Sequence, residues 1–542
     1  MGWFVLFADE YWQLGKHTFS SALFFQNLTL ISESGYFDSA SDTKPLLHLW
    51  SLGIEEQFYI FWPLLLWLVY RLRFNFLIII LLLGLGSFVF NLSNVDINKA
   101  IAFYSPQSRF WELLLGAVLA CLHTFAVKDI SDPKMPGLIS ISGALLILIA
   151  TLEIDKNSLF PGWLAILPTL GTFLLIAAGP FTPFNKLILS NPFLVLIGLI
   201  SYPLYLWHWS IISMARILQS GELNVSMRIA ILIISLLLSF LTFRYFERHF
   251  RNKKRKSIKA IGLLLFMGCI AFLGHNIYSR NGLDFRSELL KNPESYFPAI
   301  SRALQSQQAE GYIEGFPCSV PEIPCGKQSH QVDKKQILVW GDSHAQMMRF
   351  GLLKELPNNW GLYLATQPGC QPKILFTIST PPQECDALNL FVSKEIRELK
   401  PKIVLLAQRD AWNPQIADFL YVKLINMGVQ KVLFLGKAPE WNAKLPKIVL
   451  RQLWHDIPQY SQASLNTEVI AINLRAKKEM IKRPKAQYID LIDLLCNSNG
   501  CLTYLGNDPR SGLTSMDTNH LTPLASAYVA KNLIIPLLND LQ

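Results

Sequence analysis

Three side chains in the C-terminal part of the sequence have the types needed for acyl chemistry. In "ILVWGDSHAQMM" an apolar run ends at Trp340 and Gly341-Asp342-Ser343-His344 follows. Gly341 permits a tight turn. Ser343 then falls at the start of a helix-like stretch, where free backbone N–H groups and the positive dipole end favour an anion. A nucleophilic serine needs such a place, because its tetrahedral intermediate carries an oxyanion. A matching base stands in "SMDTNHLTPLASAYVAKNL", where Asp517 and His520 are three apart. The carboxylate can hold the imidazole in one tautomer, and His520 can then deprotonate Ser343. Taken singly, each motif also suits a helix cap or an exposed turn, so the chemistry depends on a fold that brings them together.

That fold is legible around the serine. The short apolar runs "QILVW", "IVLLA" (403–407) and "KVLFLG" (431–436) alternate with the helix-like "AQMMRFGLLKEL" and "NLFVSKEIRELK". The alternation predicts parallel strands joined by crossover helices, an α/β layer fold over 336–542. Residues 279–335 are polar and mixed and read as a linker or an outer wrapping of that domain.

The first half has another character. Of the 542 residues 51% are apolar and only 16% charged, against about 25% charged in soluble domains. About eight apolar runs, near 54–70, 75–90, 108–124, 137–152, 163–179, 190–214, 227–245 and 259–278, are candidate membrane spans. Much of the basic charge of this chain, whose net charge is +10, lies in short segments between them. Arg71 and Arg73, Lys128 and Lys134, Lys186, and Arg244 with the 251–256 "RNKKRK" cluster fall in every second loop. By the positive-inside bias that side is cytoplasmic. The start of the chain and everything after 278 are then external. This charge pattern reflects membrane topology, and no nucleic-acid partner is expected.

Cysteine usage points the same way. Six of the eight cysteines follow residue 310, as Cys318/Cys325, Cys370/Cys385 and Cys496/Cys501. Three close pairs predict three short-loop disulfides and an oxidising compartment; reduced buried thiols are the alternative. No C-x-x-C or H-x-x-x-H spacing accompanies them, so no metal site is expected.

Polar residues also interrupt the apolar half. His48, Glu55, Glu56 and Gln57 lie at or within the start of a span in "LLHLWSLGIEEQFYIFWPLLLWLVY". A carboxylate at mid-bilayer costs about 2.5–3.5 kcal/mol, so these residues mark either a polar site or the water interface. Arg109 and Glu112 share one helix face in "SRFWELLLG", as do Tyr202, Tyr205 and His208 in "SYPLYLWHW". Each group can be a satisfied packing feature; three of them in separate spans favour a polar cavity.

These stretches resemble a known pairing. "GDSH" and "DTNHL" resemble the first and last blocks of the SGNH hydrolase superfamily over 336–542, which implies a flavodoxin-like three-layer α/β fold and a Ser343, Asp517, His520 triad. "FFQNLTLISESGYFD", "PLLHLWSLGIEEQFYIFWPLLL", "RFWELLLG" and "SYPLYLWHW" resemble membrane acyltransferase family 3 over 1–278. The fused arrangement implies a multi-pass protein of the bacterial inner membrane with its SGNH domain on the periplasmic side. It implies transfer of an acyl group, usually acetyl from cytoplasmic acetyl-CoA, to hydroxyls of a cell-envelope polysaccharide such as lipopolysaccharide O-antigen or peptidoglycan. Acetyl-CoA, the glycan and membrane lipid are the implied partners, with no bound cofactor. If water attacks instead of a sugar hydroxyl, the same triad makes a glycan O-acetyl esterase. Two departures stand out. The match begins near the family's third span, which implies that the first spans, with a functional Arg and His, are missing and leaves an inactive remnant as a further reading. No Asn stands in Leu405–Trp412 to fill the superfamily's oxyanion hole; the Ser343 N–H is the one donor that can be named.

Overall fold

The computed structural model of the chain is described for all residues except 35–40, 126–133, 156–157, 251–255, 288–289, 298–324, 328–333, 378–384, 481–485 and 540–542. It divides into two units, Met1–Ile217 with Leu223–Glu288, and Leu218–Glu222 with Leu289–Gln542.

The first unit is helical. Its main elements are α1 (Ala8–Ala22), α2 (Gln26–Glu33), α3 (Leu49–Arg71), α4 (Phe76–Asn94), α5 (Pro106–Phe125), α6 (Lys134–Glu153), α7 (Ile166–Ala178), α8 (Pro192–Gln219), α9 (Val225–Leu241) and α10 (Lys256–Ser279). Each of the eight expected apolar runs is a helix. Six helical segments among the described residues are long and apolar enough to cross a membrane. The other two runs differ for physical reasons: α5 carries Arg109, Glu112 and other polar residues, and α7 is only 13 residues long. Large apolar side chains point outward, with Ile60 65%, Leu64 62% and Leu264 62% exposed. In water such surfaces would be costly; against lipid tails they are the matching face. Inside, small residues let backbones approach. At the α6–α7 crossing a Cβ on Gly143 would lie 2.7 Å from the Gly171 carbonyl oxygen, and one on Gly171 2.8 Å from that of Gly143.

The second unit is the α/β layer fold. Its sheet contains β1 (Cys325–Lys327), β2 (Lys335–Gly341), β3 (Trp360–Thr366), β4 (Ile403–Ala407), β5 (Lys431–Leu435) and β6 (Ala486–Ile489). The spatial order is β1-β3-β2-β4-β5-β6, parallel throughout except for the antiparallel edge strand β1. Helices α11 (Ser343–Gln346), α12 (Arg349–Glu355), α13 (Asp386–Leu399), α14 (Pro414–Asn426), α15 (Thr467–Met480) and α16 (Pro523–Val529) accompany it. Both faces of β2 are covered, which is why it reads as a continuous apolar run. Ile337 and Val339 pack into a layer with Leu352 of α12 and Val529 of α16. Leu338 and Trp340 pack into the opposite layer with Val392 of α13 and Leu420 of α14. The strand is thereby locked at both faces, and its C-terminal end presents the next residues at one edge of the sheet.

Candidate active site

The turn after β2 places the serine. Gly341 has φ +153°, and a Cβ there would lie 1.7 Å from the Ala407 carbonyl oxygen of β4, so no side chain fits. Asp342 caps the following turn: its Oδ1 accepts from the His344 backbone N–H at 2.8 Å. Its Oδ2 accepts from the Arg409 backbone N–H at 2.7 Å, tying the loop after β4 to the serine turn. Burial pushes the Asp342 carboxyl above the usual range, against these two donors. Asp342 is therefore a positioning residue, a role not read from its sequence context.

The same turn meets the C-terminal motif. His520 Nε2 lies 2.7 Å from Ser343 Oγ, and His520 Nδ1 lies 2.6 Å from Asp517 Oδ2. The other carboxylate oxygen, Oδ1, accepts from the backbone N–H groups of Asn519 at 2.9 Å and His520 at 2.8 Å. Burial works to raise the Asp517 carboxyl, and the His520 hydrogen bond and charge with the two backbone donors outweigh it, holding it at about 2. An ionised Asp517 accepts the Nδ1–H, so the Nε2 lone pair faces the serine hydroxyl, as a general base requires. The loop around it is braced from both sides. The Leu445 N–H donates to the Asp517 carbonyl at 2.9 Å, the Trp441 N–H to that of Thr518 at 2.8 Å, and the Ser515 hydroxyl to that of His520 at 3.0 Å.

His344, next to the serine in sequence, is a second imidazole that sequence reasoning passed over. Its ring lies 5.0 Å from that of His520, it is 3% exposed, and its Nε2 has no hydrogen-bond partner among the described residues. Burial, reinforced by the nearby His520, drives its pKa down to about 3 and keeps it neutral. On the other side of the turn, the Gln367 N–H donates to the Gly341 carbonyl at 3.1 Å. The loop that Gln367 opens is closed by the Cys370–Cys385 disulfide. A second disulfide joins Cys496 to Cys501. Cys318, of the expected Cys318–Cys325 pair, lies outside the described residues. At the end of β4 stands Gln408, 8% exposed, with its amide directed to the carbonyls of Asp410 and Ala411 at 3.3 and 3.5 Å.

In the helical unit the expected polar residues fall into separate groups. His48, Tyr205 and His208 come together, with the His48 ring 4.9 Å from Tyr205 and 6.3 Å from His208. The Tyr205 hydroxyl donates to the His48 carbonyl and lies 2.9 Å from the Ser51 hydroxyl. His48 is 7% exposed. Gln57 turns away to α2, donating to the Phe24 carbonyl at 2.6 Å and the Asn27 side chain at 2.9 Å. Glu55 is exposed and Glu56 half-buried. Arg109 and Glu112 pair with each other, 2.9 Å apart. A further cluster had no sequence signal strong enough to find it: Glu33 is bridged by Lys16 at 2.8 Å, His17 at 2.9 Å and Lys44 at 3.0 Å. Its members are spread from 16 to 44 and no two repeat at a helical spacing across elements.

With this geometry in place, comparison with known proteins gives two matches in tandem. Residues 1–244 match an acyltransferase domain model, and residues 313–534 match an "SGNH domain (fused to AT3 domains)" model. A provisionally named O-acetyltransferase of Staphylococcus aureus (strain COL) is 32% identical over 261 residues, 45% of this chain and 42% of its own length. O-acetyltransferase OatA of S. aureus (strain NCTC 8325 / PS 47) is 30% identical over 258 residues, again 45% and 42%. The chain thus spans less than half the length of the curated relatives it matches. A solved structure, the periplasmic domain of a Salmonella ser. Paratyphi A lipopolysaccharide acetyltransferase, is 26% identical with a TM-score of 0.34, covering 38% of this chain and 84% of its own.

Proposed function

We propose that this chain, which joins an acyltransferase domain to a C-terminal SGNH domain, transfers an acetyl group from a cytoplasmic donor, acetyl-CoA, to a hydroxyl of a cell-envelope glycan. The membrane unit delivers the acyl group to the outer face of the bacterial inner membrane, and the SGNH unit on the periplasmic side completes the transfer. The observation that carries this reading is the continuous hydrogen-bonded line Ser343–His520–Asp517, at 2.7 and 2.6 Å. The names of the relatives, the alternation of basic loops and the two disulfides support it.

The chemistry runs in two balanced halves. Ser343 Oγ attacks the acyl carbonyl while its proton passes to His520 Nε2, and Asp517 stabilises the imidazolium. The oxyanion forms beside the Ser343 backbone N–H at the start of α11. Collapse breaks the bond to the donor, returns the proton to the leaving group and leaves an acyl ester on Ser343. A sugar hydroxyl then gives its proton to His520 and attacks that ester, which forms the glycan ester and frees the serine. The His48, Tyr205 and His208 group, with Glu55 and Glu56 near the start of α3, is assigned to the membrane half of the relay.

Mass spectrometry of surface glycans from cells carrying Ser343→Ala in place of the native gene tests this. Loss of the glycan acetyl group is expected. Unchanged acetylation would remove Ser343 from the reaction, and increased acetylation would make the protein an esterase.

A further inference from the structure

A groove of about 380 Å³ runs between α5 and α7 in the helical unit and takes in the Arg109–Glu112 pair. On α5 it is lined by Arg109, Glu112, Gly116 and Leu119, and on α7 and the turn before it by Ala165, Thr169, Thr172 and Ile176. Both sets recur at three or four residues, so each is one stripe along a helix. Ten residues of helix from Arg109 to Leu119 span about 15 Å, roughly one leaflet of a hydrocarbon core about 30 Å thick. The groove is therefore a long slot one leaflet deep, charged only at the end where Arg109 and Glu112 stand, with the Thr169 and Thr172 hydroxyls spent on the Ala165 and Pro168 carbonyls.

That end has both signs of charge with bonding capacity left over. Arg109 Nη1 and Glu112 Oε1 form a buried ion pair at 2.9 Å, so the surface these two side chains keep, 14% and 24%, lies on their other atoms. The guanidinium is walled by the rings of Trp50, Phe103 and Phe160 at 5.6, 5.7 and 5.7 Å. These walls leave the groove as the open direction for a ligand atom.

We propose that this slot holds one hydrocarbon chain of a zwitterionic phospholipid, with its phosphate at Arg109 and its ammonium group at Glu112. A lipid such as phosphatidylglycerol satisfies the arginine but offers the glutamate only neutral hydroxyls in place of an ammonium, so the paired charges favour the zwitterion. The assignment is independent of acyl transfer, because it concerns the bound lipid and not the reaction at Ser343.

The test uses the full chain in bilayer nanodiscs. These are doped with phosphatidylethanolamine that carries a photoactivatable diazirine in one acyl chain, or with phosphatidylglycerol carrying the same chain. After illumination, labelled peptides are mapped by mass spectrometry. Labelling by the phosphatidylethanolamine probe is expected to concentrate on 115–119 and 172–176, at least fivefold above the exposed face of α10. Gly116→Phe fills the slot without a clash at its root, since a Cβ there meets nothing within 4 Å, and is expected to cut that labelling at least fivefold. Leu264→Phe, on the lipid-facing side of α10, is the control and leaves it unchanged. The phosphatidylglycerol probe is expected to label the slot at least threefold less. Labelling no stronger than on α10, labelling that survives Gly116→Phe in a chain that otherwise behaves as the control, or equal labelling by both probes would overturn the proposal.

Discussion

Replacing Asp517 by Asn tests the triad by reversing one tautomer while keeping the shape. In the native site Asp517 accepts three hydrogen bonds, two backbone N–H groups on Oδ1 and the His520 Nδ1–H on Oδ2. An amide has one oxygen and one NH2. The oxygen is drawn to the side with two fixed backbone donors, which turns the NH2 toward Nδ1. Nδ1 must then accept, the ring proton moves to Nε2, and a donor instead of a lone pair faces Ser343 Oγ 2.7 Å away. The backbone loop keeps both its acceptor contacts, so the fold should survive. A triad with the wrong tautomer typically loses on the order of 10⁴ in kcat, about 5.4 kcal/mol of transition-state stabilisation. The assay is turnover of 4-nitrophenyl acetate by the full chain in detergent, with the thermal midpoint measured alongside. The expected result is a fall in kcat of that order with KM and midpoint nearly unchanged. Retention of more than a tenth of kcat in a folded variant would refute the assignment of Asp517.

Two further outcomes follow from the same unit. His344 is held neutral down to about pH 3 in the fold, while an unfolded histidine takes a proton near pH 6.5. Between those values the unfolded state binds more protons, so stability falls as pH drops, by up to about 1.4 kcal/mol per pH unit from this group. Thermal midpoints of the full chain between pH 4 and 7 should therefore fall less steeply in His344→Gln than in the native protein; parallel slopes would show that His344 is not buried in its neutral form. The Cys370–Cys385 disulfide closes a loop with a sequence separation of 15, and a loop of that length contributes about 3 kcal/mol in the chain-entropy account. Replacing both cysteines by serine should lower the denaturant midpoint of the second unit and slow acetyl ester turnover, because the Cys370 N–H donates to the carbonyl of Gln367, whose own N–H donates to the Gly341 carbonyl of the serine turn; an unchanged midpoint would show that packing alone fixes the loop.

The parts of this molecule that were readable in sequence are those set by local physics. β2, β4 and β5 are buried on both faces, so their residues had to be continuously apolar, and no amphipathic alternation was needed to find them. Ser343 was readable because Gly341, at the end of an apolar run and before a helix-like stretch, announces a sharp turn, and His520 because its orienting carboxylate is only three residues away. The residues that were missed take their meaning from distant partners. His344 looks like any polar residue beside a cap until His520, far along the chain, packs against its ring. Glu33 looks like an ordinary helix end until Lys16, His17 and Lys44 surround it. The second role of Asp342, binding the Arg409 N–H, exists only because β4 lies beside β2. The two kinds of residue meet at the nucleophile. Covalent neighbours make the turn, but the Ala407 carbonyl, which excludes any side chain at 341, and the Arg409 N–H, which holds the cap, come from the adjacent strand. Ser343 is therefore presented by the β2–β4 pairing as much as by its own motif. A change that shifts β4, even with Ser343, Asp517 and His520 intact, should weaken the site as directly as a change in the triad.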